Sequence, residues 1–123
     1  MGITKEGIEG EQKLFKFLRD KGFSFFQPDA LGFLDGQWYV FEAKHQERFT
    51  PPPFEGHGLP YWQIKARLNF ERTFGIKAVL VVFDKKTNEV FYQLLSNLEK
   101  GEYYDTHGAK PRRIYKLSNF IKL

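Results

Sequence analysis

The sequence runs DGQWYVFEAK over residues 35–44. An Asp-Gly pair followed by aromatic and β-branched residues is typical of a two-residue hairpin turn and the strand that leaves it. Side chains alternate between the two faces of a strand, so Glu42 and Lys44 lie on one face and Ala43 lies on the other. A carboxylate and an ammonium at the end of an apolar strand are costly to bury unless they have partners.

A second carboxylate precedes this strand at Asp29, directly after Pro28. Two acids and a lysine that converge on one spot make a site for a hard divalent cation and a phosphate group. Mg²⁺ usually takes only one or two protein carboxylates, so Asp29 and Glu42 suffice, with the backbone carbonyl of Ala43 as a further ligand. Lys44 would then orient the attacking water or stabilise charge at phosphorus. The pattern predicts metal-assisted cleavage of a phosphodiester. The alternatives are a solvated cross-strand ion pair for Glu42 and Lys44 and a turn role for Asp29.

A third acid lies on the helix predicted over residues 6–21, which Lys21-Gly22 ends. Leu14, Phe15 and Leu18 follow Glu11 by three, four and seven positions, which predicts that Glu11 lies on the stripe that faces the core. It could then hold a second metal ion or hydrogen-bond a metal-bound water. The alternative is an exposed first-turn acid that the helix dipole favours.

The remaining segments alternate between strand-like and helix-like patterns, which predicts an α/β or α+β sandwich with a mixed central sheet. The Trp38–His45 strand is expected at the centre of that sheet. The other expected elements are strands at 23–29, 30–34, 76–83 and 89–95, a proline- and glycine-rich loop at 46–60, a helix from Pro60 to Phe74 ended by Gly75, an irregular stretch at 96–109 and an edge strand at 112–117.

Composition narrows the class of protein. The 123 residues are expected to form a single domain, 1–123, and the 41% hydrophobic and 18% aromatic content favours a folded globular chain. No apolar run approaches the length of a membrane span, and the first residues have no signal-peptide core. The absence of cysteine excludes disulfides and thiolate metal sites. These features fit a cytoplasmic protein without a membrane partner.

Three histidines have no spacing typical of a zinc site: His45, His57 and His107. Of these, His57 lies in the 46–60 loop and could contact a substrate. A loop of that length in a small domain is usually functional or mobile. Tyr61, Trp62, Phe49 and Phe54 lie in or beside the loop and could stack on unpaired bases, although we expect core or dimer contacts.

The net charge of +4 and the isoelectric point near 9.3 favour a polyanionic partner such as DNA, although solubility alone also explains a modest excess. Contacts to backbone phosphates would make binding sensitive to salt and largely independent of sequence. The basic residues gather in three clusters: Lys65/Arg67/Arg72, Lys85/Lys86 and Lys110/Arg112/Arg113.

Pro28-Asp29 followed by Glu42-Ala43-Lys44 resembles the PD-(D/E)xK motif of the restriction-endonuclease-like nucleases. Within that superfamily, residues 29–44 are similar to Holliday-junction resolvases of the bacterial RecU type. Residues 7–14 resemble the Gly-x-x-x-Glu start of the archaeal resolvases. The likeness covers about residues 5–95, and the short chain resembles archaeal or phage-encoded resolvases.

The resemblance implies a restriction-endonuclease-like core, in which a mixed β-sheet is flanked by helices, and a role in DNA recombination and repair. By motif position it implies Glu11, Asp29, Glu42 and Lys44 as catalytic residues and a Mg²⁺ or Mn²⁺ requirement. Gln63 matches a glutamine common after this core and could contact a metal-bound water or the phosphate. A homodimer is implied as well, because a four-way junction has two-fold symmetry and needs two opposed cuts.

The sequence thus predicts a metal-dependent endonuclease, a Holliday-junction resolvase that makes paired symmetric nicks in branched DNA. One alternative is a nuclease for linear duplex, flap or restriction-site DNA. Another is a non-catalytic DNA-binding module whose acids are structural. A third is an interaction domain of a larger complex, which would use an apolar surface around Trp62 and Phe74.

Overall fold

The structure is a computed structural model that describes residues 5–23, 29–50 and 53–123. The helices are α1 (Lys5–Asp20), α2 (Tyr61–Phe74) and α3 (Leu95–Lys100), with a 3₁₀ turn at Leu117–Asn119. The strands are β1 (Ala30–Leu34), β2 (Gln37–Gln46), β3 (Gly56–Pro60), β4 (Lys77–Asp84), β5 (Val90–Leu94), β6 (Tyr103–Asp105), β7 (Arg112–Lys116) and β8 (Ile121–Lys122).

The first hairpin forms at the turn that the sequence predicts. Asp35 and Gly36 both have positive φ, 49° and 79°, as the two central residues of a type I′ turn require. Leu34 therefore pairs directly with Gln37, and β1 and β2 run antiparallel from that point. This turn sets the register that places Glu42 and Lys44 on one face of β2.

The central sheet has five strands in the order β1-β2-β4-β5-β8. β2 and β4 are parallel and the other neighbours are antiparallel, so the sheet is mixed, as predicted. The central strand is β4 and not β2, which corrects the prediction for the Trp38–His45 strand. The apolar run in β4, with Ala78, Leu80 and Val82 all buried, explains why that strand lies in the middle.

A second sheet of three strands, β3-β7-β6, was not predicted. The glycine-rich end of the predicted 46–60 loop forms β3, and β7 is the middle strand of this sheet instead of an edge strand. The backbones of β3 and β7 approach so closely that a Cβ atom on Gly56 or Gly58 would overlap a β7 carbonyl. The glycines that suggested a loop are therefore what permits this strand pairing.

The stretch predicted to be irregular, 96–109, contains most of α3 and all of β6. Leu95 and Leu98 are fully buried, three positions apart on the inner face of α3. The two strands predicted at 76–83 and 89–95 are present as β4 and β5 and form an antiparallel hairpin, with Val79 opposite Leu94.

Helix α2 ends as predicted: Gly75 adopts the left-handed conformation and its N–H donates to the carbonyl of Glu71. Pro60 precedes the helix as its N-cap residue. Ile64 is buried in the hydrophobic core with Val40 and Leu80, which lie on the face of the sheet that carries Glu42. None of the described helices is long and apolar enough to cross a membrane.

Helix α1 differs from the prediction in its surroundings. Leu14 and Phe17 are 52% and 56% exposed and Glu11 is exposed, so the predicted burial of this stripe is not observed. The side chain of Phe15 lies outside the described part of the structure. The strand predicted at 23–29 falls mostly on residues 24–28, which also lie outside the described residues.

A buried polar cluster joins the ends of β2, β3 and β4. Both ring nitrogens of His57 lie within hydrogen-bonding distance of an acceptor, 2.8 Å from Asp84 and 3.0 Å from Gln46. Arg48 donates to the same Asp84 carboxylate at 2.7 Å. His57 is fully buried, so the idea that it contacts a substrate is wrong. Its role is to join β3 to the central sheet.

Burial alone would raise the pKa of Asp84, but hydrogen bonds from Arg48 and His57 outweigh it and hold the pKa below its ordinary value. Burial lowers the pKa of His57 and outweighs its hydrogen bond to Asp84. The cluster therefore keeps a charged carboxylate inside the fold, where its partners stabilise it.

We predict that Asp84→Asn lowers the free energy of unfolding by about 3 kcal/mol, because it removes one partner of a buried ion pair. The folded-state pKa of Asp84 lies below its unfolded value, so its stabilisation is present above about pH 4 and is lost as the pH falls through the folded pKa. Urea unfolding from pH 2 to pH 7 measures both effects.

The matched control is Glu102→Gln, which removes an exposed carboxylate 3.3 Å from Lys116. We expect it to change the free energy of unfolding by less than about 0.5 kcal/mol. Equal effects of the two substitutions would contradict the structural role of the Asp84 cluster.

Candidate active site

The acidic residue of greatest interest is Glu42, the sixth of the ten residues of β2. Only 8% of its surface is exposed. The parallel pairing of β2 with β4 sets Glu42 beside Leu80 and Lys44 beside Val82, and continues to the ends of both strands. On the other side of β2, the pairing with β1 stops at Phe41. Glu42 and Lys44 therefore lie just beyond the end of β1.

Two cations hold the Glu42 carboxylate. Arg67 on α2 donates to Oε2 from its Nη2 atom at 3.0 Å and from its Nε atom at 3.3 Å. The Lys44 ammonium lies 3.6 Å from Oε1. Each oxygen of Glu42 thus faces one cation, and such partners offset the cost of burying a carboxylate.

Sequence reasoning placed Arg67 in a surface cluster with Lys65 and Arg72, and the structure corrects this. Arg67 is 7% exposed and faces the sheet. A signal for this orientation is present, since Arg67 and Leu68 follow the buried Ile64 by three and four positions on the same helix face. Because arginine side chains are rarely buried, the sequence nevertheless favoured an exposed position for Arg67.

Asp29 lies at the same strand end. One of its carboxylate oxygens accepts a hydrogen bond of 2.7 Å from the N–H of Ala43, although thirteen residues separate the two positions. β1 begins at Ala30, opposite Phe41, so Ala43 lies beyond the paired part of β1. Because the N–H and C=O of a strand residue point to the same side, the Ala43 carbonyl points to the edge where Asp29 lies.

Gln63 lies four residues before Arg67 on α2, on the same side of the helix. Its amide oxygen is buried and has no hydrogen-bond partner among the described residues. A buried acceptor without a partner is rare, and it requires an explanation such as a bound water, ion or substrate group. The structure thus presents Gln63 as an available acceptor on the helix that contacts Glu42.

Glu11 is not gathered into this site. The described residues contain no group of three or more His, Cys, Asp or Glu side chains placed to hold a metal ion, and Glu11 is exposed on α1. The structure therefore brings together Asp29, Glu42, Ala43 and Lys44, and adds Arg67. The proposed catalytic and metal-binding role of Glu11 stays a prediction.

The donor set fits a hard divalent cation. Asp29 and Glu42 supply carboxylate oxygens and Ala43 supplies a carbonyl, which are the ligand types that Mg²⁺ and Mn²⁺ prefer. Mg²⁺ needs only one or two carboxylates because it keeps several waters, so a group of three acids is not required. A carboxylate has about four lone-pair sites, so Glu42 can accept from cations and still bind a metal.

The chain was compared with known proteins at the level of sequence and of structure. Neither protein-family models nor curated protein sequences gave a match. Among solved structures, a Holliday junction resolvase named Hjc, from the archaeal hyperthermophile Archaeoglobus fulgidus, matches with a TM-score of 0.53. The match covers 97% of this chain and 93% of that chain, at 15% sequence identity.

This chain has a fold similar to that of an archaeal resolvase. The predicted mixed β-sheet flanked by helices is confirmed, and this arrangement is similar to the fold of that resolvase. At 15% identity the similarity concerns the fold alone.

We predict that Arg67→Met lowers the free energy of unfolding by about 3 kcal/mol, because it leaves the buried Glu42 carboxylate without its strongest partner. Adding Glu42→Gln to the Arg67→Met variant removes that unpaired charge and should restore part of the lost free energy of unfolding. A double-mutant cycle by urea unfolding, without metal, measures the coupling, which we expect to exceed about 1 kcal/mol.

A suitable control cycle pairs Arg72→Met with Glu42→Gln, since Arg72 is exposed on the same helix. We expect additive effects there. If the effects of Arg67→Met and Glu42→Gln were also additive, the contact between Arg67 on α2 and Glu42 on β2 would not exist in solution.

Proposed function

We propose that this protein is a metal-dependent endonuclease that cleaves phosphodiester bonds in branched DNA, most specifically a Holliday-junction resolvase. The observation that carries the proposal is the Glu42 carboxylate, buried between Arg67 and Lys44, with Asp29 bonded to the next residue of the same strand. The similarity of the fold to that of a resolvase supports it.

A purely structural role explains these charges less well. A structural pair needs one acid and one base, and Arg67 alone would satisfy Glu42. Lys44 adds a second cation that the pair does not need, and the buried amide oxygen of Gln63 has no partner among the described residues. Asp29 accepts a hydrogen bond from the Ala43 N–H and adds a second acid beside the pair. Buried charge of this kind is typical of sites where chemistry requires it.

In the proposed reaction, Asp29, Glu42 and the carbonyl of Ala43 hold the cation. A bound Mg²⁺ or Mn²⁺ supplies Lewis-acid stabilisation of the charge at phosphorus and favours ionisation of water. Lys44 orients the attacking water or stabilises the charged phosphate, because its ammonium lies beside Glu42 at the strand end. Gln63 accepts a hydrogen bond from a water at the site.

Arg67 has a positioning role in this proposal. Its guanidinium fixes the orientation of the Glu42 carboxylate through two donors on one oxygen, Oε2. The other oxygen, Oε1, faces only Lys44 at the longer distance of 3.6 Å. Oε1 therefore keeps more acceptor capacity than Oε2 and would be available to a bound cation.

The proposed substrate is a four-way junction and the proposed active species is a homodimer. A four-way junction has two-fold symmetry, and two opposed cuts need two sites related by the same axis. The net charge of +4 favours a polyanion. Glu11, exposed on α1, is proposed as a further acid that reaches the site when DNA is bound.

We predict that Glu42→Gln, Asp29→Asn and Lys44→Met each reduce cleavage of a four-way junction about a hundredfold or more, since each removes a group that acts on the transition state. Binding to the junction should remain within about threefold, because most affinity comes from contacts to phosphates elsewhere. Single-turnover cleavage and a gel-shift titration in EDTA measure the two quantities.

Asp35→Asn is the control, because Asp35 lies in the β1–β2 turn and its substitution also removes one acid. We expect near wild-type cleavage. Wild-type rates in both Glu42→Gln and Asp29→Asn would overturn the site assignment.

Substrate class is tested on wild-type protein with an end-labelled four-way junction and a linear duplex of matching sequence. We expect paired symmetric nicks in the junction only, with Mg²⁺ and not with EDTA. Equal cutting of both substrates would show a nuclease for linear or flap DNA. Binding without cutting would show a non-catalytic DNA-binding module.

A further inference from the structure

A groove of about 550 Å³ lies at the start of α2, between that helix and the segment that leads into β7. Two prolines and an alanine line it, and its charged side chains are all basic. The lining residues are Pro60, Tyr61, Trp62, Lys65, Ala109, Lys110, Pro111 and Arg112. No acid lines it, although the chain has 15 of them.

The groove is part of the fold and does not depend on chance side-chain positions. The N–H of Tyr61 donates to the carbonyl of Pro111 at 3.0 Å, which joins the two walls. Pro60 pairs with Arg112 across β3 and β7. On the far wall, Thr106 donates its N–H to the Arg112 carbonyl at 2.8 Å. Backbone hydrogen bonds therefore set the width of the groove.

Trp62 is the exposed aromatic side chain of this groove. We expected it to make core or dimer contacts; it is 68% exposed, so the core contact is wrong and the dimer contact stays a prediction. In the described part of the structure no ring or cation lies against its indole. Its neighbour Tyr61 is different, since Lys65 and Arg113 lie 4.9 Å and 5.0 Å from the centre of its ring. Trp62 is therefore the ring that remains available for stacking.

The cations of the groove are also available. Arg113, behind the groove, is already neutralised by Glu99 and Asp105 at 2.7 Å and 2.8 Å. By contrast, Lys65, Lys110 and Arg112 form no ion pair with any described residue. Three available cations around an exposed indole match a ligand that has a flat ring and several negative charges, which is the chemistry of a nucleotide strand.

We infer that this groove binds an unpaired segment of a DNA strand, with a base stacked on Trp62 and the flanking phosphates on Lys65, Lys110 and Arg112. The inference deepens the proposed nuclease function and rests on it for the identity of the strand. Trp62 lies five residues before Arg67 on α2, about 7.5 Å along the helix axis. Five residues also turn the chain by about 140° around that axis, so Trp62 and Arg67 lie on different faces of α2. The inference therefore places the strand beside the helix that contacts Glu42, and not on the carboxylate itself.

The consequence is a preference for DNA with unpaired bases beside the cleavage site. A base inside a duplex has no free face, so only an unpaired or displaced base can stack on Trp62. An exchange point or a flap provides such bases, whereas an intact duplex does not. The groove would thus select the substrate and Asp29, Glu42 and Lys44 would cut it.

The test uses tryptophan fluorescence in EDTA, so that it reports binding and is independent of cleavage. The chain has two tryptophans, and Trp38→Phe leaves Trp62 as the only one. We expect a short oligothymidine to quench the emission of this variant, and a blunt duplex of equal strand length to do so only at tenfold or higher concentration. Equal quenching by the duplex, or no quenching, would overturn the inference.

Charge-reversal variants test the cations. We expect Lys65→Glu combined with Lys110→Glu to weaken oligothymidine binding about tenfold or more. The matched control combines Lys77→Glu with Lys100→Glu, two exposed lysines outside the groove, and changes the net charge by the same amount. Equal weakening by both pairs would show that general charge attracts the DNA and that the groove does not bind it.

Trp62→Ala tests the stacking directly, and we expect about tenfold weaker binding. The control is Trp38→Ala, an exposed indole that packs on Phe33 with ring centres 5.1 Å apart. If dilution of the protein changes the Trp62 emission and DNA does not, Trp62 is a contact between copies of the chain and the inference is wrong.

The outcomes separate this inference from the proposed function. If the protein cleaves DNA with metal and Trp62→Ala binds DNA as well as wild type, the proposed nuclease function stands and the inference about the groove is wrong. If oligothymidine quenches Trp62 but the protein cuts no DNA, DNA binding in the groove is supported and the proposed nuclease function is wrong.

Discussion

The structure depends on one ion pair inside the fold, between Glu42 on β2 and Arg67 on α2. Both side chains are less than a tenth exposed, so each would be costly to bury alone. Their contact fixes the orientation of α2 over the sheet, and α2 in turn carries Gln63 and the aromatic groove. Folding and the proposed chemistry therefore share one carboxylate. The buried pair of Arg48 and Asp84 serves the fold alone. The case for a function at Glu42 therefore rests on the additional groups beside it, Lys44 and Asp29.

One face of β2 changes from apolar to polar, from the buried Val40 through Glu42 and Lys44 to Gln46. At the far end, Gln46 meets the cluster of His57 and Asp84. The site thus lies between an apolar core and a polar network that is already saturated with hydrogen bonds. Contacts on both sides thus hold the groups proposed to act on the phosphate, which is the arrangement that a preorganised site requires.

Short sequence patterns were sufficient to predict those features of the fold that depend only on residues close together in the chain. The Asp35-Gly36 turn, the shared face of Glu42 and Lys44 and the end of α2 at Gly75 each follow from a few neighbouring residues. The three-stranded sheet did not, because the close approach of Gly56 and Gly58 to β7 depends on residues far along the chain. The inward orientation of Arg67 depends likewise on a partner 25 residues away. The role of Glu11 stays a prediction, since sequence periodicity alone places it toward the core and the structure shows it exposed.

The central claim is that Glu42 exchanges part of its interaction with protein cations for a metal ion. The most direct measurement is electron paramagnetic resonance of Mn²⁺, which reports the free ion in a titration with protein. We expect wild-type protein to reduce the free Mn²⁺ signal, Asp35→Asn to do the same, and Glu42→Gln and Asp29→Asn to lose most of the effect. Identical binding of Mn²⁺ by wild-type protein and Glu42→Gln would contradict the account.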